Sequence, residues 1–123
     1  MTDPQWWREM LNVDASLADR VDDEYPLTSK LGSFGLEFSD LCGNLAEQQR
    51  GRILEIVERV LASGDEEERA AVATGFLEAL LHRWDDGFDL ESIWPLIGPL
   101  SRKYCLAWNA FGGVESPAWM RPA

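Results

Sequence analysis

The most informative part of the chain is residues 45–84, which read LAEQQRGRILEIVERVLASGDEEERAAVATGFLEALLHRW. Apolar residues recur at steps of three and four along each half, which indicates two amphipathic helices. Ser63-Gly64 is typical of a helix end. Asp65, followed by three glutamates, is typical of a helix start, where the helix dipole favours negative charge. Because only a tight turn separates them, the helices at about 45–63 and 66–84 are predicted to form a central antiparallel hairpin.

The flanking segments also indicate helices, and no segment alternates apolar and polar residues as a strand would. One helix is predicted after Asp3, which would cap it, and an acidic break follows at 22–26. Further helices are predicted at roughly 31–45 and after the cap residue Asp89, the latter interrupted at Pro95. Gly98 and Pro99 open a last helix, with a predicted buried face of Leu100, Tyr104, Ala107, Trp108 and Phe111.

These patterns predict an all-α, single-domain bundle of five to six helices covering residues 1–123, with residues 112–123 as a tail. A chain of 123 residues that is 46% apolar, with six tryptophans, can fill one such core. Whether Trp6, Trp7 or Trp119 is exposed is left open. The chain shows no membrane-spanning run and no secretory signal, so a cytosolic location is expected.

Negative charge is the strongest compositional signal, because 22 acidic residues face 11 basic ones and the net charge is −11. The charge is uneven along the chain. Residues 1–98 carry 21 acids and 8 bases, whereas residues 99–123 carry one acid and three bases. Such a chain repels nucleic acids and anionic membranes, so neither is expected as a partner. It attracts basic proteins.

No motif points to catalysis or to a bound metal. His82 is the single histidine and follows Glu78 by four residues, but two ligands do not make a zinc site. The acidic run that begins at Asp85 has Leu90 and Leu96 where a calcium loop needs Gly and Glu. We therefore expect no catalytic residues, no metal and no cofactor.

Two acidic clusters lie in predicted turns, where a helical scaffold presents side chains to partners. They are the candidate contacts for a basic protein, with plain solvation as the alternative. The clusters consist of Asp22, Asp23 and Glu24, and of Asp85, Asp86, Asp89 and Glu91. Asp89 has a second expected role as a helix cap.

Two strings resemble a known family: VATGFLEALL at residues 72–81 and IWPLIGPLSRKYCLAW at residues 93–108. They are similar to a largely uncharacterised family of short, acidic, all-helical bacterial proteins. The members of that family look like immunity proteins encoded beside polymorphic toxins. The resemblance covers about the last two-thirds of the chain and implies a helical fold and a bacterial origin. It transfers no functional residue.

The resemblance and the charge together favour a cytosolic immunity protein. Such a protein would bind a basic toxin domain and neutralise it, using an acidic surface to speed encounter. The alternative is a non-catalytic adaptor, or a chaperone of a secreted effector, which would bind its partner without inhibiting it. A small enzyme is the third hypothesis.

Overall fold

Seven helices make up residues 3–121, the part of the chain that the computed structural model describes. They are α1 (Gln5–Leu11), α2 (Ala15–Ala18), α3 (Leu27–Leu41), α4 (Glu47–Ser63), α5 (66–85), α6 (Leu90–Ile93) and α7 (Pro99–Phe111). Short 3-10 turns occupy Cys42–Asn44, Trp94–Leu96 and Ala118–Met120. No strand occurs in the described residues, so the all-α prediction is confirmed.

Side-chain caps fix two of the predicted helix starts, those of α5 and α6. The Asp65 carboxylate accepts a hydrogen bond from the Glu68 backbone N–H at 2.8 Å, and the Glu68 side chain accepts from the Asp65 N–H at 3.0 Å. This reciprocal capping box starts α5. Asp89 caps α6 as predicted, by accepting from the Ser92 N–H. The predicted cap of α1 was wrong, because the Asp3 carboxylate accepts from Lys30 instead.

The closest helix contact lies between α3 and α5, at two glycines. A Cβ atom added at Gly75 would lie 2.6 Å from the carbonyl oxygen of Thr28, and one added at Gly35 would lie 2.8 Å from the Cβ of Ala79. Gly75 lies within a π-helical stretch of α5, Ala71–Leu77. Because later residues of α3 meet later residues of α5, the two helices run in the same direction.

The hairpin of α4 and α5 follows from this arrangement. At the far ends of α3 and α5, Arg83 forms an ion pair with Asp40 at 3.3 Å. α4 starts beside the end of α3 and finishes beside the start of α5, so it runs antiparallel to both. The predicted faces of α4 and α5 lie in one core, which includes Ile53, Val57 and Phe76.

The predicted face of α7 was only partly right, because Tyr104 and Trp108 pack against the core but Leu100, Ala107 and Phe111 are exposed. Leu100 is 41% exposed and Phe111 is 90% exposed, whereas Ser101, Cys105 and Asn109 are buried. The start of the helix is held by a remote acid, because the Glu58 carboxylate of α4 accepts hydrogen bonds from the Leu100 N–H, the Ser101 N–H and the Ser101 hydroxyl at 2.9 to 3.0 Å. This long-range cap, rather than the apolar pattern of α7 alone, orients the helix.

The expected tail folds back onto the bundle over residues 112–121, which we call the return segment. Met120 is buried in the core. The Asn109 amide donates to the Ser116 hydroxyl at 3.0 Å. The Trp119 ring makes edge contacts with Trp84 and Trp94, each at a centroid distance of 5.7 Å. The return segment therefore covers the polar face of α7.

Replacement of Gly75 by alanine tests the α3–α5 contact. Alanine is the better helix former, but its Cβ would collide with the α3 backbone, so Gly75→Ala should destabilise the fold by about 2 kcal/mol. Gly32→Ala is the matched control, because its Cβ would meet nothing closer than 3.8 Å. It should stabilise the fold by about 0.5 kcal/mol. Urea unfolding measures both, and equal effects would contradict the proposed constraint.

Candidate protein-interaction surface

A buried ammonium group holds the N-terminal helix on the bundle. Lys30 is 2% exposed, and its Nζ donates to the Asp3 carboxylate at 2.8 Å, the Asp23 carbonyl at 3.0 Å and the Asp23 carboxylate at 3.1 Å. The same Nζ lies 5.6 Å from the centroid of the buried Trp7 ring. All three ammonium protons thus have acceptors, as a buried charge requires.

The pKa values of this cluster keep it charged. Burial lowers the pKa of Lys30, but hydrogen bonds and charge interactions with Asp3 and Asp23 outweigh burial and raise that pKa above its usual value. The pKa of Asp23 is lowered, first by the hydrogen bond from the Trp7 indole N–H and then by the one from Lys30. Asp23, predicted as a partner contact, therefore also has a structural role.

A concave surface of about 450 Å³ opens where α3 and α5 begin. We call it the acidic groove. Four of its residues carry carboxylates, and no lysine or arginine is among the described residues that line it. The lining consists of Asp3, Pro4, Tyr25, Pro26, Leu27, Asp65, Glu67 and Glu68.

The first predicted cluster lies beside this groove, and some of the carboxylates there have no hydrogen-bond or ion-pair partner among the described residues. Asp22 accepts a hydrogen bond from the Glu24 N–H at 2.9 Å. The carboxylates of Glu24 and Glu67 are exposed and have no partner among residues 3–121. Tyr25, between them on the wall of the groove, is 51% exposed. Exposed tyrosine rings are enriched in protein contact surfaces.

The second predicted cluster lies at the opposite end of α5. Asp85, Asp86 and Glu91 are exposed, and Asp89 caps α6. A helix of this length separates the two clusters by roughly 30 Å. The structure therefore does not bring the two predicted clusters into one site.

A second groove, of about 630 Å³, was missed by the sequence reasoning; we call it the basic groove. Three cationic side chains surround an aromatic floor, and no acid is among its described lining residues. The lining consists of Trp94, Ile97, Pro99, Arg102, Lys103, Leu106, Trp119 and Arg121. The available signal was the excess of bases over acids in residues 99–123.

The residues considered for catalysis or metal binding, Glu78 and His82, have other contacts in the structure. Glu78 accepts a hydrogen bond from the Tyr104 hydroxyl at 2.5 Å, and His82 is exposed with an edge contact to Trp108. Burial and then the Glu78 hydrogen bond raise the pKa of Tyr104 to about 12. Among residues 3–121, no group of three or more His, Cys, Asp and Glu side chains is placed to hold a metal ion.

The tryptophans left open by the sequence all have partners. Trp7 is buried. Trp6 is half-buried and donates its indole N–H to Glu68 at 2.9 Å, which ties α1 to the start of α5. Trp119 is also half-buried, in the basic groove. Tyr25, rather than a tryptophan, is therefore the exposed ring at the acidic groove.

Comparison with known proteins places the chain in a family. Residues 8–113 match the model of a domain of unknown function, DUF7674, and the chain belongs to this family. Neither the curated proteins nor the solved structures gave a match. Within residues 3–121, every helix is too short or too polar to cross a bilayer.

The Lys30 cluster can be tested by removing its charge. Lys30→Met keeps the apolar stem but loses all three donated hydrogen bonds, so the free energy of unfolding should fall by about 2 kcal/mol. Lys103→Met is the control, because Lys103 is exposed and forms no ion pair among the described residues. Its effect should stay within about 0.5 kcal/mol in urea unfolding.

The lowered pKa of Asp23 predicts how this stabilisation depends on pH. A carboxyl whose pKa is lower in the folded state stabilises the fold above its ordinary value of 3.8 and loses that effect as pH falls through the native value. The stability gap between the wild-type chain and Asp23→Asn should therefore narrow on acidification below 3.8. Thermal unfolding at pH 7 and across the acid range measures the gap. A constant gap would contradict the assignment.

Proposed function

We propose that this protein is an immunity-type inhibitor that binds a basic toxin domain in the bacterial cytosol through its acidic groove. The observation that carries the proposal is the position of Tyr25. It is a half-exposed ring on the wall of a concave surface whose charged lining is entirely carboxylate. Aromatic rings of this kind anchor interfaces, and the surrounding carboxylates select a cationic partner.

Electrostatics support a partner that must be captured quickly. The net charge of −11 attracts a cationic domain at long range and raises the association rate, an effect that weakens with salt. Toxins that act on nucleic acids carry basic clefts for phosphate. The free carboxylates of Glu24 and Glu67 are suited to occupy such a cleft in place of phosphate oxygens.

Rigidity of the scaffold also supports this role. The Asp65–Glu68 capping box and the Lys30 cluster fix both walls of the acidic groove before any partner arrives. A preformed surface loses little conformational entropy on binding, so more of the contact energy remains as affinity. An inhibitor that must outcompete a substrate benefits from this property.

The experiment is a protection assay with a toxin domain, which the proposal expects the next gene upstream to encode. Cells that express the toxin domain should survive when the wild-type chain is co-expressed. Tyr25→Ala should weaken binding of the purified pair by on the order of 30-fold, because a buried aromatic anchor is lost. Phe111→Ala is the matched control, since Phe111 is an exposed ring distant in sequence from the groove, and it should change nothing.

Charge variants distinguish the contributions that the acidic clusters at the two ends of α5 make to toxin binding. Glu67→Gln should slow association at low salt, whereas Asp86→Asn, at the other end, should have a smaller effect. A stable complex with unchanged toxin activity would identify an adaptor or effector chaperone and contradict inhibition. If Tyr25→Ala and Glu67→Gln both inhibited the toxin as well as the wild-type chain does, the acidic groove would not be the binding site.

A further inference from the structure

The basic groove is built from two distant parts of the chain. Arg102 and Lys103 come from α7, and Arg121 comes from the return segment. Trp94 and Trp119 form the floor with their rings in edge contact. The groove exists only because the return segment folds back, so it is a product of tertiary structure.

The Arg102 guanidinium is held in place before any ligand binds. Its NH2 donates to the Trp94 carbonyl at 2.8 Å, and its central carbon lies 5.4 Å from the centroid of the Trp94 ring. A guanidinium held in one orientation donates hydrogen bonds to a carboxylate in a fixed, planar geometry.

The groove is also unbalanced in charge. Arg102, Lys103 and Arg121 form no ion pair within residues 3–121, although acids outnumber bases two to one in the chain. Arg20, Lys30, Arg59 and Arg83 are each paired with acids, whereas four other arginines, Arg8, Arg50, Arg52 and Arg69, also form no ion pair among the described residues. What distinguishes the groove is that three cations meet at one apolar surface with no acid among its described lining residues, which favours an anionic partner.

We propose that the basic groove binds an extended acidic peptide segment of a partner protein, with one apolar side chain seated on Trp94 and Trp119. The groove is open rather than enclosed, and it gathers cations from two segments of the chain, α7 and the return segment, which suits several carboxylates on one peptide. The apolar floor provides the site for an anchor residue. This inference is independent of the acidic groove and stands or falls separately.

Nucleic acid is disfavoured as the occupant. A polyanion would meet the groove's three cations but also the −11 charge of the protein, which opposes a long phosphate backbone. A short peptide with a few carboxylates meets less of this repulsion. It also satisfies the planar Arg102 fork, which matches carboxylate geometry.

The test uses the intact chain and the peptide acetyl-Glu-Glu-Phe-Glu-Glu-amide, followed by NMR shifts of the indole N–H groups of Trp94 and Trp119. The peptide should bind and shift both resonances. Replacement of its Phe by Ala should weaken binding on the order of tenfold, because apolar contact is lost. Replacement of its four Glu residues by Lys should abolish binding.

Substitutions of residues that line the basic groove provide the second part of the experiment. Arg102→Gln should weaken peptide binding at least about tenfold, the loss of one charge-assisted hydrogen bond. Lys103→Gln removes an exposed charge of the same groove and leaves the Arg102 hydrogen bond to the Trp94 carbonyl intact. It should also weaken peptide binding, and it provides the test if Arg102→Gln does not fold. Arg52→Gln, an exposed arginine of α4, is the matched control and should leave binding unchanged.

Several outcomes would overturn the proposal. Failure of the intact chain to bind the acidic peptide is one, and equal binding by Lys103→Gln and the wild-type chain is another. Saturation of the same Trp94 and Trp119 shifts by inorganic phosphate alone would indicate a small-anion site instead. Tighter binding of a single-stranded RNA eight-mer than of the peptide would replace the peptide with nucleic acid.

Discussion

The carbonyl oxygen of Thr28 and the Cβ of Ala79 lie against two glycines, Gly75 and Gly35, where α3 crosses α5. A side chain at either glycine would push the helices apart, so backbone contact sets their distance and relative direction. Because the helices run in the same direction, their starts share one end of the bundle and their ends share the other. The locations of both acidic clusters follow from this single crossing.

Bringing two helix starts together creates an electrostatic problem that the acidic residues solve. Each start carries a partial positive charge from its unpaired N–H groups, and nearby carboxylates stabilise it. Asp65 and Glu68 do so directly for α5. The first turn of α3 contains no acid, and Asp3 and Asp23 instead offset the charge of the buried Lys30 in that turn. What remains after these roles, chiefly Glu24 and Glu67, is charge that a partner can use.

Local patterns were sufficient for the fold but not for the sites. The faces of α4 and α5 and the caps Asp65 and Asp89 were predictable, because periodicity and capping depend on residues close in sequence. The face of α7 was predicted only in part, because Glu58, more than 40 residues away, caps the start of the helix. The basic groove was missed for the same reason, since Arg121 joins Arg102 only through the fold of the return segment.

The far end of α5 presents the reverse electrostatic case. Asp85 and Asp86 lie where the helix dipole is negative, so their charges destabilise α5 by several tenths of a kcal/mol each. Their carboxylates accept no hydrogen bond and form no ion pair within the described residues. Arg83, in the same turn, forms an ion pair with Asp40 instead. These two carboxylates face solvent and are free for contacts outside the chain, and the Asp86→Asn variant measures whether such a contact contributes to binding.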